Sequence, residues 1–106
     1  MNDDDKHVAV SNNEAEQRYE VRIGDDLAVL EYERQGSRII FLHTEVPATL
    51  EGRGIASQLA HTALEEARSQ KLTVVPACPF VATYIRHHPE YLSLLSATER
   101  KHFLEH

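Results

Sequence analysis

The sequence predicts an α/β (α+β) domain with a mixed, mainly antiparallel sheet, a long helix after the central strand and a short helix after the next strand. Three observations support this prediction: alternating apolar and polar runs between residues 19 and 46, an apolar stripe at helical spacing from residue 55, and a β-branched run at residues 72–75. A chain of 106 residues is long enough for one domain with one core.

Three strands are expected in the first half of the chain. The first covers residues 19–23, where apolar and charged side chains alternate. Turns at residues 24–26 and 35–37 separate it from a second strand at 27–34 and a third at 38–46. The third strand contains an uninterrupted apolar run, so we expect it to be central and covered on both faces.

The pattern changes to a helix after Pro47, which cannot donate to a strand ladder. Apolar residues then recur at spacings of one and three from Ile55 to Ala67, which predicts an amphipathic helix over about residues 53–70. The β-branched run at residues 72–75 follows directly. A strand, a helix and a strand in this order predict a parallel pair joined by a right-handed crossover.

Two shorter helices are expected near the C-terminus. Pro79 suits the first turn of a helix over about residues 80–88, which Pro89 ends. Ser96 and Glu99 form a capping box, which predicts the start of a last helix.

We expect one domain at residues 14–103, preceded by a lead-in and followed by a short remnant. Residues 1–13 are acidic and polar without an apolar signal segment, so we interpret them as a disordered lead-in. Residues 104–106 resemble the start of a vector-derived tag. The single cysteine, Cys78, excludes an internal disulfide and favours a reducing compartment, the cytoplasm.

The composition narrows the classes of partner. A formal net charge of −6 argues against nucleic acid and mildly favours a cationic partner such as an amine. No apolar run approaches the roughly 20 residues of a membrane span, so no membrane partner is expected. His87 and His88 are adjacent and point to different sides of a helix, and no other ligand spacing is present, so no metal site is predicted.

The most informative stretch, residues 45–57, joins a buried strand to the start of the long helix. Gly52 and Gly54 lie where the loop becomes helix, and glycine lets an anion approach the free N–H groups of a helix N-terminus. Arg53 adds a charge that can pair with phosphate. The glycines could instead serve only a turn. The lysine of a P-loop is absent, and Ser57 occupies the third glycine position of a dinucleotide fingerprint.

Residues 51–56 resemble the acetyl-coenzyme A loop of the GNAT superfamily, Gln/Arg-x-x-Gly-x-Gly/Ala. Gly54 and Ala56 match its last two fixed positions, whereas Glu51 stands where Gln or Arg is usual. The chain more specifically resembles a compact GNAT-like family with the signatures His-Thr-Glu-Val-Pro and Pro-x-Cys-Pro-Phe, at residues 43–47 and 76–80. The resemblance covers residues 19 to about 95. The first GNAT helices are missing between the early strands, so a short wall is expected on the substrate side.

The resemblance implies an N-acetyltransferase that uses acetyl-coenzyme A as cosubstrate and an amine as acceptor, with direct attack in a ternary complex. The pantetheine arm would lie between two splayed parallel strands, which end at Val46 and near Val75. The N–H near Val46 would bond the thioester carbonyl and stabilise the developing oxyanion. The residues expected to hold the pyrophosphate follow one another at the helix start: Arg53, Gly54, Ile55, Ala56 and Ser57.

Four residues are candidates for catalysis. Glu45 ends the central strand and is the candidate general base, and His43, two residues earlier on the same face, could share that role. Cys78 lies near a helix N-cap, which favours a thiolate, so it is a candidate nucleophile or cofactor contact. Tyr84 lies on the short helix, where many GNAT enzymes place a tyrosine that protonates the leaving thiolate, although it falls one residue early. Each could instead be a rim or core residue.

Two alternatives to acetyl transfer stay open. The scaffold could bind acyl-coenzyme A without turnover, which the departure at Glu51 and the short substrate wall favour. The chain could also be a thiol acyl carrier or sensor that works through Cys78. The sequence identifies neither the acetyl acceptor nor the oligomeric state.

Overall fold

Alternating apolar residues build a five-stranded sheet in the computed structural model, which describes residues 8–105. The strand order is β1-β2-β3-β4-β5; every neighbouring pair is antiparallel except β4 and β5, which are parallel. This mixed, mainly antiparallel sheet confirms the predicted fold class. The strands are β1 (Ser11–Asn13), β2 (Arg18–Ile23), β3 (Asp26–Gln35), β4 (Arg38–Glu45) and β5 (Thr73–Pro76).

Three α-helices and two short 3-10 segments complete the described fold. They are α1 (Ile55–Ser69), α2 (Pro79–His87), α3 (Ala97–Leu104) and the 3-10 segments Ala48–Leu50 and Pro89–Leu94. Each predicted helix is present within two residues of its expected bounds, and neither 3-10 segment was predicted. Ser96 caps α3 by accepting a hydrogen bond from the Glu99 N–H at 3.1 Å, as the capping box predicts. Within residues 8–105, none of the helices combines the length and the apolar character that a membrane span requires.

The N-terminal boundary of the domain needs correction. Ser11–Asn13 forms β1, which pairs with β2 at the sheet edge, although we assigned this segment to a disordered lead-in. Val8 and Val10 also pack against the core. Residues 1–7 of the predicted lead-in and His106 of the predicted tag lie outside the described residues. Leu104, also assigned to the tag, is the last residue of α3.

One core lies between α1 and a single face of the sheet. The buried stripe of α1 packs on alternate residues of β2 and β3, and Val81 and Ile85 of α2 join the same cluster. The stripe contains three alanines, which let α1 lie close to the strands. It comprises Ile55, Leu59, Ala60, Ala63, Leu64 and Ala67.

The prediction that β4 is covered on both faces is wrong. A bulge in β4 leaves Leu42 as an extra residue, because Phe41 pairs with Tyr32 and His43 pairs with the adjacent Glu31. Leu42 is 45% exposed. Phe41 is buried in the core, so α1 covers one face of β4, and the other face, which we call the open face, carries exposed side chains.

Candidate functional site

The start of α1 exposes several backbone donors. Gly54 is the N-cap, with a left-handed φ of 74°, and no side chain caps the helix. The first intrahelical bond runs from the Gln58 N–H to the Gly54 carbonyl at 3.0 Å. The N–H groups of Ile55, Ala56 and Ser57 therefore point out of the helix end, where an anion is favoured.

A cavity of about 240 Å³ lies against this helix end. Five of the six predicted cofactor-binding residues line it, while Arg53 is exposed and lies outside the lining. The lining also includes Leu50, Glu51, Gly52 and Phe80, none of which was among the six predicted cofactor-binding residues. The five predicted residues are Val46, Gly54, Ile55, Ala56 and Ser57.

Beside this cavity, β4 and β5 stop pairing. The parallel ladder ends at Phe41 and Pro76; β5 then leads into α2, whereas β4 continues to Glu45 beside β3. Cys78 is the N-cap residue of α2 and lies where the two strands separate. Its N–H donates to the Phe41 carbonyl at 2.8 Å. We call this separation the gap; the resemblance implies that a pantetheine arm would lie there, and that placement stays a prediction.

The Cys78 thiol is held inside this gap. It is 2% exposed, and its Sγ lies 3.1 Å from Thr44 Oγ1 in a hydrogen bond that either group can donate. The β4 bulge explains this contact, because the extra residue moves Thr44, rather than His43, to the core side.

His43 and Glu45 lie together on the open face of the sheet. His43 Nε2 is 3.6 Å from Glu45 Oε1, and the two side chains are 58% and 72% exposed. Val46, the next residue, lines the cavity. The end of β4 therefore places a carboxylate and an imidazole on one face, and a cavity residue on the other.

Tyr84 lies apart from these groups, among aromatic rings on α2 and the following 3-10 segment. Its ring stacks on His88 with centroids 4.0 Å apart, and it lies 6.5 Å from Phe80 and 6.2 Å from Tyr91. Only Phe80 of these residues lines the cavity at α1. Burial raises the pKa of Tyr84, and the Glu90 and Glu65 carboxylates raise it further, so its hydroxyl stays protonated at neutral pH.

Comparison with known proteins decides the family. The family model described as GCN5-related N-acetyl-transferase matches residues 18–94. The chain belongs to this family. The match spans β2 to the 3-10 segment Pro89–Leu94 and includes both the α1 loop and Cys78.

Relatives from vertebrates support the same assignment. The chain is 37% identical over 93 residues to Protein NATD1 of Mus musculus and of Homo sapiens, covering 83% of this chain and 84% and 82% of the relatives. It is 33% identical over 98 residues to Protein NATD1 of Xenopus tropicalis, covering 88% of this chain and 90% of that protein. The chain thus spans most of the length of these relatives.

Two residues at the site lie within sequence motifs that could have identified them. Thr44 and Phe80 fall inside the two quoted signatures, at residues 43–47 and 76–80. The sequence therefore contained a signal that these two residues lie at the site. The bulge at Leu42 had none, because neither glycine nor proline marks it.

Proposed function

We propose that this protein transfers the acetyl group of acetyl-coenzyme A to an amine. The observation that carries the proposal is the start of α1, where Gly54 opens the helix in a left-handed conformation without a side-chain cap. The N–H groups beyond it border the cavity next to the gap between β4 and β5. An anion-binding helix end beside a gap between parallel strands suits a ligand with a pyrophosphate and an extended arm.

The residues present fit this cosubstrate. Ile55, Ala56 and Ser57 supply backbone donors for the pyrophosphate, and a Cβ built at Gly54 meets no protein atom within 4 Å, so the space above the glycine is open to a ligand. Arg53 is exposed beside them and could pair with a phosphate oxygen. Glu51 lines the same cavity and is the one unfavourable charge for a phosphate.

Each candidate catalytic group has a separate role in the proposed transfer. Bound acetyl-coenzyme A supplies an activated thioester, and transfer forms a C–N bond as the C–S bond breaks. Glu45 accepts the amine proton, directly or through water, with His43 as its partner at 3.6 Å. The N–H of Val46, just beyond the last paired residue of β4, is the candidate donor to the thioester carbonyl. Tyr84 is the candidate donor of the proton that the leaving thiolate needs.

Cys78 is better explained as a structural residue at the gap between β4 and β5 than as a nucleophile. The thiol is buried and bonded to Thr44, and direct attack by an amine on a thioester needs no acyl-enzyme. The thiol route is kept as the second candidate because Cys78 lies at the gap and occupies the N-cap position of α2. Acetyl-coenzyme A and an amine are thus the proposed partners, without nucleic acid or membrane, and the single cysteine supports a cytoplasmic location.

Incubation with acetyl-coenzyme A, followed by thiol detection and intact mass spectrometry, tests the proposal. We expect free coenzyme A to appear only when an amine is added, with no change in protein mass. A gain of one acetyl group at Cys78 would support the thiol route instead. Binding without release under any amine would indicate a binding module, and no affinity for the cosubstrate would overturn all three functions.

A further inference from the structure

The gap between β4 and β5 is closed at its inner end. The last paired residues of the parallel ladder are Phe41 and Pro76. Directly beyond them, the Cys78 N–H donates to the Phe41 carbonyl at 2.8 Å, and Cys78 Sγ lies 3.1 Å from Thr44 Oγ1. One backbone bond and one side-chain bond therefore join the two segments where the ladder ends. We call Thr44 and Cys78 the closing pair.

The same two segments line the cavity at α1 a short distance further out. Val46 is two residues after Thr44, and Phe80 is two residues after Cys78. Both Val46 and Phe80 belong to the cavity lining, whereas the closing pair does not. Two residues of extended chain span roughly 7 Å. A ligand that enters the gap from the cavity therefore passes Val46 and Phe80 and then meets the closing pair.

Protein fills the space behind the closing pair. Cys78 is 2% exposed, Phe41 is fully buried, and both belong to the core cluster that also contains Val81 of α2. Thr44 is half-buried, on the core side of the β4 bulge. Protein cores are close-packed, with few voids larger than a water molecule. The closing pair is therefore the floor of the gap rather than a passage through it.

We propose that Thr44 and Cys78 limit the length of the acyl group that the protein accepts, and restrict it to acetyl. The acyl group is the terminal part of an acyl-coenzyme A. With the pyrophosphate at α1 and the pantetheine arm in the gap, it lies at the inner end, against the closing pair. A longer acyl chain would have to displace one of these two side chains. This inference rests on the proposed function, since it uses the proposed position of the cosubstrate.

Calorimetry without an amine tests the length limit on the wild-type protein. Butyryl-coenzyme A carries two more methylene groups than acetyl-coenzyme A, and one methylene group typically changes discrimination by roughly 10- to 200-fold. We expect butyryl-coenzyme A to bind at least about tenfold more weakly, the lower end of that range, because a chain that turns away from the closing pair keeps its other contacts. Equal affinity for the two thioesters would overturn the inference.

Substitutions that change the bulk of the closing pair test whether it is the cause. Cys78→Ala and Thr44→Ala each remove atoms from the floor, so each should bring the ratio of the two affinities at least about threefold closer to one. Thr44→Val removes the bond to Cys78 but keeps the branched shape, so it should keep the wild-type ratio. An unchanged ratio in a folded alanine variant, or equal relaxation in Thr44→Val and Thr44→Ala, would overturn the inference.

Val21→Ala is the matched control for a cavity elsewhere in the core. Val21 is 1% exposed on β2, which β3 separates from β4. The substitution should lower the thermal stability and leave the affinity ratio unchanged. A ratio relaxed as far as in Cys78→Ala would show general loosening of the core and would overturn the inference.

Free coenzyme A separates failure of the inference from failure of the proposed function. It carries no acyl group, so it should bind the wild type and the closing-pair variants with similar affinity. If neither free coenzyme A nor either thioester bound the wild type, the proposed function would fail. If both thioesters bound with equal strength, the length limit alone would fail.

Discussion

The two faces at the end of β4 differ in cover and in charge. Thr44 and Val46 face the core and the cavity, with Thr44 bonded to the buried Cys78. His43 and Glu45 face the open side, with more than half of each side chain exposed. The comparison shows that the end of the bulged strand β4 presents one set of side chains to the core and the cavity and another to the open face. This arrangement suits the proposed function, in which the cosubstrate and the acceptor approach from different sides.

The N-termini of α1 and α3 also differ, in whether a side chain of the protein caps the helix. The N-terminus of α3 is capped by its own Ser96 hydroxyl, so one of its backbone donors is already paired within the chain. The N-terminus of α1 begins with Gly54 and has no such side chain. A side-chain cap typically contributes about 1 kcal/mol. Its absence at α1, beside a cavity, is consistent with a ligand that takes the place of the cap.

The largest expected effect is at the start of α1, on the face of the sheet that α1 covers. Gly54→Val should lower coenzyme A affinity by more than about 100-fold, or ~2.7 kcal/mol, because a branched side chain would occupy the space above the helix end. The left-handed φ of 74° also adds strain of roughly 1–2 kcal/mol. Isothermal titration calorimetry measures the affinity, and thermal unfolding measures the strain.

Gly24→Val controls for that strain. Gly24 has a φ of 61° and nothing within 4 Å of a built Cβ, but it lies in the turn between β2 and β3. It should lose similar stability and keep full affinity. Unchanged affinity in a folded Gly54→Val protein would refute the assignment of the α1 loop to the cosubstrate.

An effect of comparable size is expected on the open face. Glu45→Gln should lower turnover by roughly 100- to 10,000-fold, because it removes a proton acceptor while keeping the shape of the side chain. The affinity for acetyl-coenzyme A should not change, since Glu45 faces away from the cavity. Steady-state kinetics with a saturating amine, together with calorimetry, measures both quantities.

His43→Gln sharpens the Glu45 test. It removes the partner at 3.6 Å and should cost less turnover than Glu45→Gln. If Glu45→Gln changed turnover less than about threefold while His43→Gln abolished it, the imidazole would be the base.

The smallest effect is expected at Cys78, where β4 and β5 stop pairing. Cys78→Ala removes a buried contact with Thr44, so we expect a stability loss of about 1 kcal/mol and turnover within about tenfold of the wild type. Cys78→Ser should recover part of the stability, because a hydroxyl can still bond Thr44. Near-complete loss of activity in both variants, with an acetylated wild-type protein, would instead make Cys78 a nucleophile.

The sequence predicted strands β2 to β5 and the long helix because their periodicity is local. The glycines and the family resemblance together selected Val46 and residues 54–57, which line the cavity at α1. It did not predict β1, since Ser11–Asn13 lacks an apolar run and pairs only at an edge. It also did not predict the bulge at Leu42, which depends on how β3 and β4 pair over distance. Because of that bulge, the residues that β4 exposes on the open face could be recognised only in the folded structure.

Amide chemical-shift mapping with coenzyme A tests the central claim most directly. On a chain of 106 residues, titration of ¹⁵N-labelled protein should move the N–H signals of Ile55, Ala56, Ser57 and Val46 most strongly. The signals of Glu31 and Glu33, on the open face of β3, should move little. Shifts centred instead on the separate cavity at Tyr19 and Glu66, or on the open face, would contradict the account.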